Sequence, residues 1–220
     1  MILRTILLQL LLVLTAFSQS DKKTDLEVQL LAEQFPEKLG QVYLVFGDKK
    51  SQPFDLPTNR LSDSVAAEGR TMVLKLAQKD VPLCTITLPD QGKSFALLLV
   101  AAKPSGFKPL VIRTDDSTFR AGDVFFVNST DKTILGKLGT APLTLKPGET
   151  TKSRPNGAVD NTYYNIAFAI REGTTDKLIS STRWPVDQGL RSYVFFFTNA
   201  EGRTTYRAVD EYLKPATAAP

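Results

Sequence analysis

The chain contains no histidine. That excludes a Ser-His or Cys-His nucleophile pair, a His general base and a His-ligated zinc, because each needs imidazole. Cysteine is nearly absent too. Cys84 stands alone, so no internal disulfide staples the fold and the apolar core must carry its stability. In Leu83-Cys84-Thr85-Ile86-Thr87-Leu88, a two-residue period puts Cys84 on one face with Ile86 and Leu88, the setting of a small core residue. Neither sign of charge dominates: 27 basic and 23 acidic residues leave a formal +4. The densest basic spots, Lys22-Lys23 and Lys49-Lys50, are only pairs. Nucleic acid needs a clustered basic face with stacking aromatics, so no nucleic-acid partner is expected.

Long apolar runs are missing except at the start. Ile6 to Leu14 is apolar apart from Gln9, follows Arg4, and leads to Ala16-Phe17-Ser18 before polar sequence begins at Gln19. The run is too short to cross ~30 Å of hydrocarbon, and small residues at both ends of the tripeptide suit a signal peptidase. Residues 1–18 therefore read as a signal peptide. The expectation is an exported protein, periplasmic or secreted, with no transmembrane segment. Residues 214–220 lack the apolar run of a lipid-anchor signal and read as a disordered tail.

What remains is about 200 residues, 42% of the whole chain being hydrophobic. A chain of that length buries around 70% of its unfolded surface, enough for a core without staples. Short runs of Val, Ile, Phe, Tyr and Thr alternate with Gly, Pro, Asn and Asp clusters, the pattern of strands and turns. Strands are expected near 41–46, 71–77, 83–88, 94–101, 109–114, 123–128, 134–138, 142–146, 163–171, 177–183, 191–198 and 203–209. Lys146-Pro147-Gly148-Glu149 suits a type II turn, with Pro and Gly at the two central positions. Residues 19–40 are ambiguous. Leu26, Val28 and Leu30 alternate as a strand does, Leu31 and Phe35 fit a helix better, and Pro36 would end one. The segment could be a helix, a donated strand or a free arm, and docking on its own chain is favoured, which makes the protein a monomer.

The chain also echoes itself. Val42 to Lys49 resembles Val124 to Lys132. Asp90-Gln91-Gly92 and Asp187-Gln188-Gly189 each precede a Ser, an aromatic and an apolar run. The expectation is an all-β antiparallel sandwich from an internal duplication over 41–118 and 119–213, either two tandem immunoglobulin-like units or two half-units closing one larger sandwich.

Motifs for chemistry are few. Ser129-Thr130-Asp131-Lys132 fits the spacing of a serine acyl-enzyme, but it follows a strand and the partner motifs are missing, so it reads as a turn. Asn128-Ser129-Thr130 is a glycosylation sequon. Gly136 and Gly139 read as strand and turn glycines, since the rest of a phosphate loop is missing. Asp115, Asp116 and Asp123 are the nearest approach to a cation site, yet their spacing matches no calcium loop and reads as a solvated turn; no metal and no cofactor is expected. Trp184, beside Arg183 at a strand end, could join Tyr163, Tyr164 and Tyr193 in an aromatic platform for sugar, or it could plug the end of the core.

Several short stretches carry a resemblance: Asn59-Arg60-Leu61-Ser62, Phe125 to Asn128 ahead of Gly136 and Gly139, Leu145 with Pro147-Gly148-Glu149, and Thr182-Arg183-Trp184 before Arg191. With the leader, the chain resembles a group of uncharacterised exported β-rich proteins of Gram-negative bacteria. The resemblance implies export and a β-sandwich, and brings no activity. The expected function is that of a non-enzymatic structural or interaction module of the envelope or extracellular space, with a protein or polysaccharide partner. The alternative is a carbohydrate-binding module using Trp184, Tyr163, Tyr164 and Arg183.

Overall fold

A computed structural model describes residues 25–34, 40–102, 105–157 and 162–213. The expected leader and tail, and Phe35 and Pro36, lie outside them. Among the described residues there is no helix, and none long and apolar enough to cross a membrane.

Among the described residues, sixteen strands form four sheets. The first half supplies β1 (Leu26–Ala32), β2 (Val42–Phe46), β3 (Lys49–Lys50), β4 (Val65–Ala67), β5 (Thr71–Leu76), β6 (Val81–Thr87), β7 (Ser94–Ala101) and β8 (Phe107–Arg113). The second supplies β9 (Val124–Asn128), β10 (Thr133–Leu138), β11 (Ala141–Leu145), β12 (Thr150–Ser153), β13 (Tyr163–Glu172), β14 (Thr175–Pro185), β15 (Leu190–Thr198) and β16 (Thr204–Tyr212). The sheet orders are β3-β2-β5-β6 and β4-β1-β7-β8 in the first half, then β12-β9-β15-β16 and β11-β10-β13-β14 in the second. Adding eight to each strand number of the first half reproduces the second. Pairing is antiparallel except for β1 with β7 and β9 with β15, which are parallel and central in their sheets.

Three apolar clusters lie between the four layers. Val28, Leu30, Leu44, Leu74 and Leu97 fill the first half, and Phe126, Ile134, Ile166, Phe168 and Phe196 fill the second. The third cluster joins the halves, packing Leu31, Ala96 and Leu98 against Val127, Tyr193, Phe195 and Phe197. Strands β7 and β15 are therefore covered on both faces. This is why Phe95 to Leu99 and Tyr193 to Phe197 are unbroken apolar runs, while β13, with one face in solvent, alternates.

The ambiguous segment is resolved by β1. It pairs with β4 on one side and β7 on the other, so it is an interior strand docked in its own chain. Its even-numbered residues face the first core, and Leu31 faces the shared one. The proposed match of Val42–Lys49 to Val124–Lys132 does not hold. Val42–Phe46 lies in an outer sheet and Val124–Asn128 in an inner one. The two stretches share only the chemistry of a buried strand ending in a turn. The Asp-Gln-Gly turns do lie at matching places, after β6 and after β14. Gly92 has a positive φ of 97° and Gly189 does not, so the same tripeptide turns differently in each. At Lys146-Pro147-Gly148-Glu149, Gly148 has φ 75° and Glu149 N–H donates to Lys146 C=O at 3.1 Å, as expected for the turn.

Candidate functional site

The second half opens a cleft of about 770 Å³ at the end marked by the Asp187-Gln188-Gly189 turn. Its walls come from the start of β13 (Tyr164), the end of β14 (Trp184), the start of β15 (Ser192) and the edge strand β16 (Tyr206, Asp210). Asp123 and the stretch Arg154 to Gly157 close the far side. That stretch is set by Gly139, which bridges Asn156 with φ 60°; a Cβ there would meet the Asn156 carbonyl oxygen at 1.5 Å. Gly139 is thus a close-approach glycine, in keeping with a turn rather than a phosphate loop.

Aromatic rings form one wall. Trp184 is half-buried, edge-on to Tyr164 and Phe168 at 6.4 and 6.3 Å, and tilted 38° to Tyr206 at 6.5 Å. Tyr206 shares a hydrogen bond with Ser180 Oγ at 3.2 Å. Tyr164 is only 5% exposed, and its hydroxyl has no hydrogen-bond partner among the described residues. Burial, then the charge of Asp210, holds that hydroxyl above the usual tyrosine range, so it stays a protonated donor.

The carboxylates of the cleft are engaged. Asp123 accepts from Arg154 Nε at 2.8 Å and from Arg120 N–H at 2.9 Å. Asp210 accepts from Ser192 Oγ at 2.6 Å, and Asp187 from Gly189 N–H at 2.6 Å. The arrangement offers hydrogen bonds, aromatic faces and negative charge to a ligand.

The residues singled out from sequence divide. Trp184 and Tyr164 share the cleft. Tyr163 and Arg183 lie on the opposite, solvent face of the same strands, where Arg183 stands over the Tyr163 ring at 5.8 Å. Tyr193 leaves the platform altogether: it is fully buried in the cluster between the halves. The period-2 geometry of β13 makes the separation of Tyr163 from Tyr164 unavoidable. Asp115, Asp116 and Asp123 do not converge. Asp115 takes Arg113 Nε at 2.7 Å, Asp116 takes Thr118 N–H at 2.8 Å, and Asp123 sits in the cleft with Arg154. No group of three or more His, Cys, Asp or Glu among the described residues could hold a metal ion.

The Ser129 to Lys132 stretch is a turn, and Ser129 Oγ donates to Glu33 Oε1 and to Phe196 C=O. Asn128 is 1% exposed; its amide donates to the carbonyls of Lys132, Leu145 and Lys146 and accepts from Thr130. In the folded chain the sequon is an interior hydrogen-bond hub.

Sequence reasoning missed Ser192, Tyr206 and Asp210. Their only signal is alternation along β15 and β16, which marks an inward face without saying that the facing strands leave a gap. No family model matches the chain, and no curated protein was found to match it.

Proposed function

We propose that the chain is an exported, non-enzymatic binding protein, a monomer of two immunoglobulin-like sandwich units that arose by duplication. It acts as an interaction module of the cell envelope or extracellular space. Support for two related units comes from the strand order, which recurs after eight strands with the same parallel central pair. The single observation that carries a binding role is the cleft at the end of the second unit, with Trp184, Tyr206 and Tyr164 in its wall. Its groups present donors, acceptors and rings to a ligand. Pockets of a few hundred Å³ with aromatic walls and a few convergent polar groups are the usual form of small-ligand sites.

The cleft favours one partner class, a saccharide, because aromatic faces cover C–H-rich sugar surfaces while Tyr164 and Asp210 meet hydroxyls. Two measurements test the proposal. Protein recovered from the medium or periplasm should begin at Gln19 on N-terminal sequencing; a retained leader contradicts export. Mature chain should be retained on an immobilised polysaccharide and released by Trp184→Ala. Equal retention of the folded variant contradicts the binding site.

A further inference from the structure

The two units close the same end differently. In the first, Val28 pairs with Phe95 across the parallel central strands; at the matching register of the second, Val124 pairs with Ser192. On the next strand, Val111 opposite Leu97 corresponds to Ala208 opposite Val194. Leu88, whose N–H donates to Arg70 C=O at 2.7 Å, takes the place that Trp184 opposite Tyr164 takes in the second unit. Both Leu88 and Trp184 are followed by Pro, and an Asp-Gln-Gly turn comes directly after Pro89 and one residue later, past Val186, after Pro185. The first unit fills this end. Leu88 and Phe95 are buried, and Arg70 donates to the carbonyls of Pro89 and Gly92. In the second, Ser192 and Ala208 withdraw the bulk, and the Tyr164 hydroxyl has no hydrogen-bond partner among the described residues. The cleft is the volume so released.

Its charge is opposite to that of the chain. Asp123, Asp187 and Asp210 line it with a single cation, Arg154, which is spent on Asp123 at 2.8 Å. Asp187 and Asp210 accept from uncharged donors, Gly189 N–H and Ser192 Oγ, and line the same cleft as Trp184 and Tyr206, in a protein of net +4. An aromatic face attracts a cation through its quadrupole, and a carboxylate adds a charge-assisted hydrogen bond. The Tyr164 hydroxyl, on a side chain that is otherwise packed, supplies a neutral donor to the same space.

We infer that the cleft binds a saccharide ring bearing a protonated amine, with the ammonium group at Asp210 beside Trp184 and a ring hydroxyl at Tyr164. This rests on the saccharide reading above and adds the charge. Trp184 is the sole tryptophan, so its emission reports on this site alone.

The test titrates the mature chain with D-glucosamine and, separately, with D-glucose, following Trp184 emission at low and high salt. Glucosamine should give a saturable change at about tenfold lower concentration than glucose, the scale of one charge-assisted hydrogen bond, and salt should erode that advantage. Asp210→Asn should abolish the preference, so that glucosamine and glucose act over the same concentration range in the variant. Tyr164→Phe should weaken both sugars. Equal responses to the two sugars in the wild-type chain overturn the amine assignment and leave the saccharide reading standing. No response to either overturns both. Should Asp210→Asn fail to fold by circular dichroism, the wild-type comparison and its salt dependence decide alone.

Discussion

Arg191 and Glu211 form a two-point ion pair at the seam between the two halves of the chain. Nε meets Oε2 at 2.6 Å and Nη2 meets Oε1 at 2.8 Å, with the guanidinium over the Phe119 ring at 4.7 Å. The remaining nitrogen donates to the carbonyls of Thr114 and Phe119 at 2.9 Å each, and Tyr193 adds its hydroxyl to Glu211. Thr114 and Phe119 belong to the connection from β8 to β9. One side chain of β15 therefore fastens the link between the units to the second inner sheet.

Arg191 is 3% exposed, so its removal strands Glu211 with little solvent to compensate. Arg191→Ala should cost about 3–5 kcal/mol, the usual loss when one member of a buried pair is deleted. Arg191→Lys keeps the charge but not the planar fork, and should still lose most of the carbonyl contacts. Urea unfolding followed by circular dichroism measures both. A midpoint unchanged in Arg191→Ala would show that the seam is held by apolar packing alone.

Legibility in the sequence followed physical cause. Every strand expected from β-rich runs is present, because those runs are bounded by turn residues whose conformations are local. Three strands were not legible: Lys49–Lys50, Val65–Ala67 and Thr150–Ser153 are too short to show a period. β1 gave a mixed pattern because Leu30, Leu31 and Ala32 are buried on both faces, which breaks alternation just as a helix would. Trp184 could be picked out by being unique. Its partners could not, since the cleft depends on small side chains at Ser192 and Ala208, and a gap leaves no mark on any one strand.

Glu33 brings a carboxyl into the junction between units, where it is 2% exposed and accepts from Ser129 of the second half. Burial raises its pKa, outweighing the hydrogen bonds from Ser129 and Ala101 and the charge of Arg207. A carboxyl raised in the native state costs stability as pH climbs through the unfolded value, about 4.3, and costs nothing when both states are protonated. Glu33→Gln should therefore raise the melting temperature at pH 7, with the gain vanishing as pH falls below about 4. A loss at pH 7 would mean that the ionised form is the one the junction stabilises.

Asn128 ties the β9 end to the Lys132 and Leu145–Lys146 carbonyls with three donor contacts. Each buried group left unpaired costs about 1–3 kcal/mol, so Asn128→Ala should destabilise by more than the loss of a surface Asn. Asn128→Asp keeps the shape and removes the donors, and should cost as much or more. Denaturant midpoints compare them, and near-neutral values for both would place this hub in solvent.

Each unit carries a natural probe, Cys84 in the first and Trp184 in the second. Burial pushes the Cys84 thiol up to about 11. At pH 8 only about one thiol in a thousand is then ionised, so a thiol reagent should react slowly with the folded chain and fast once β6 opens. The cluster joining Leu31 and Leu98 to Tyr193 and Phe195 couples the two cores. Cys84 reactivity and Trp184 emission should therefore change at one denaturant midpoint. Phe195 lies in the second unit but packs at the seam, fully buried. Phe195→Ala removes about 3–5 kcal/mol of packing there, and should lower the Cys84 midpoint in the first unit along with that of Trp184. A fall in the Trp184 midpoint alone would show that the two units unfold independently and that the shared cluster does not bind them into one cooperative body.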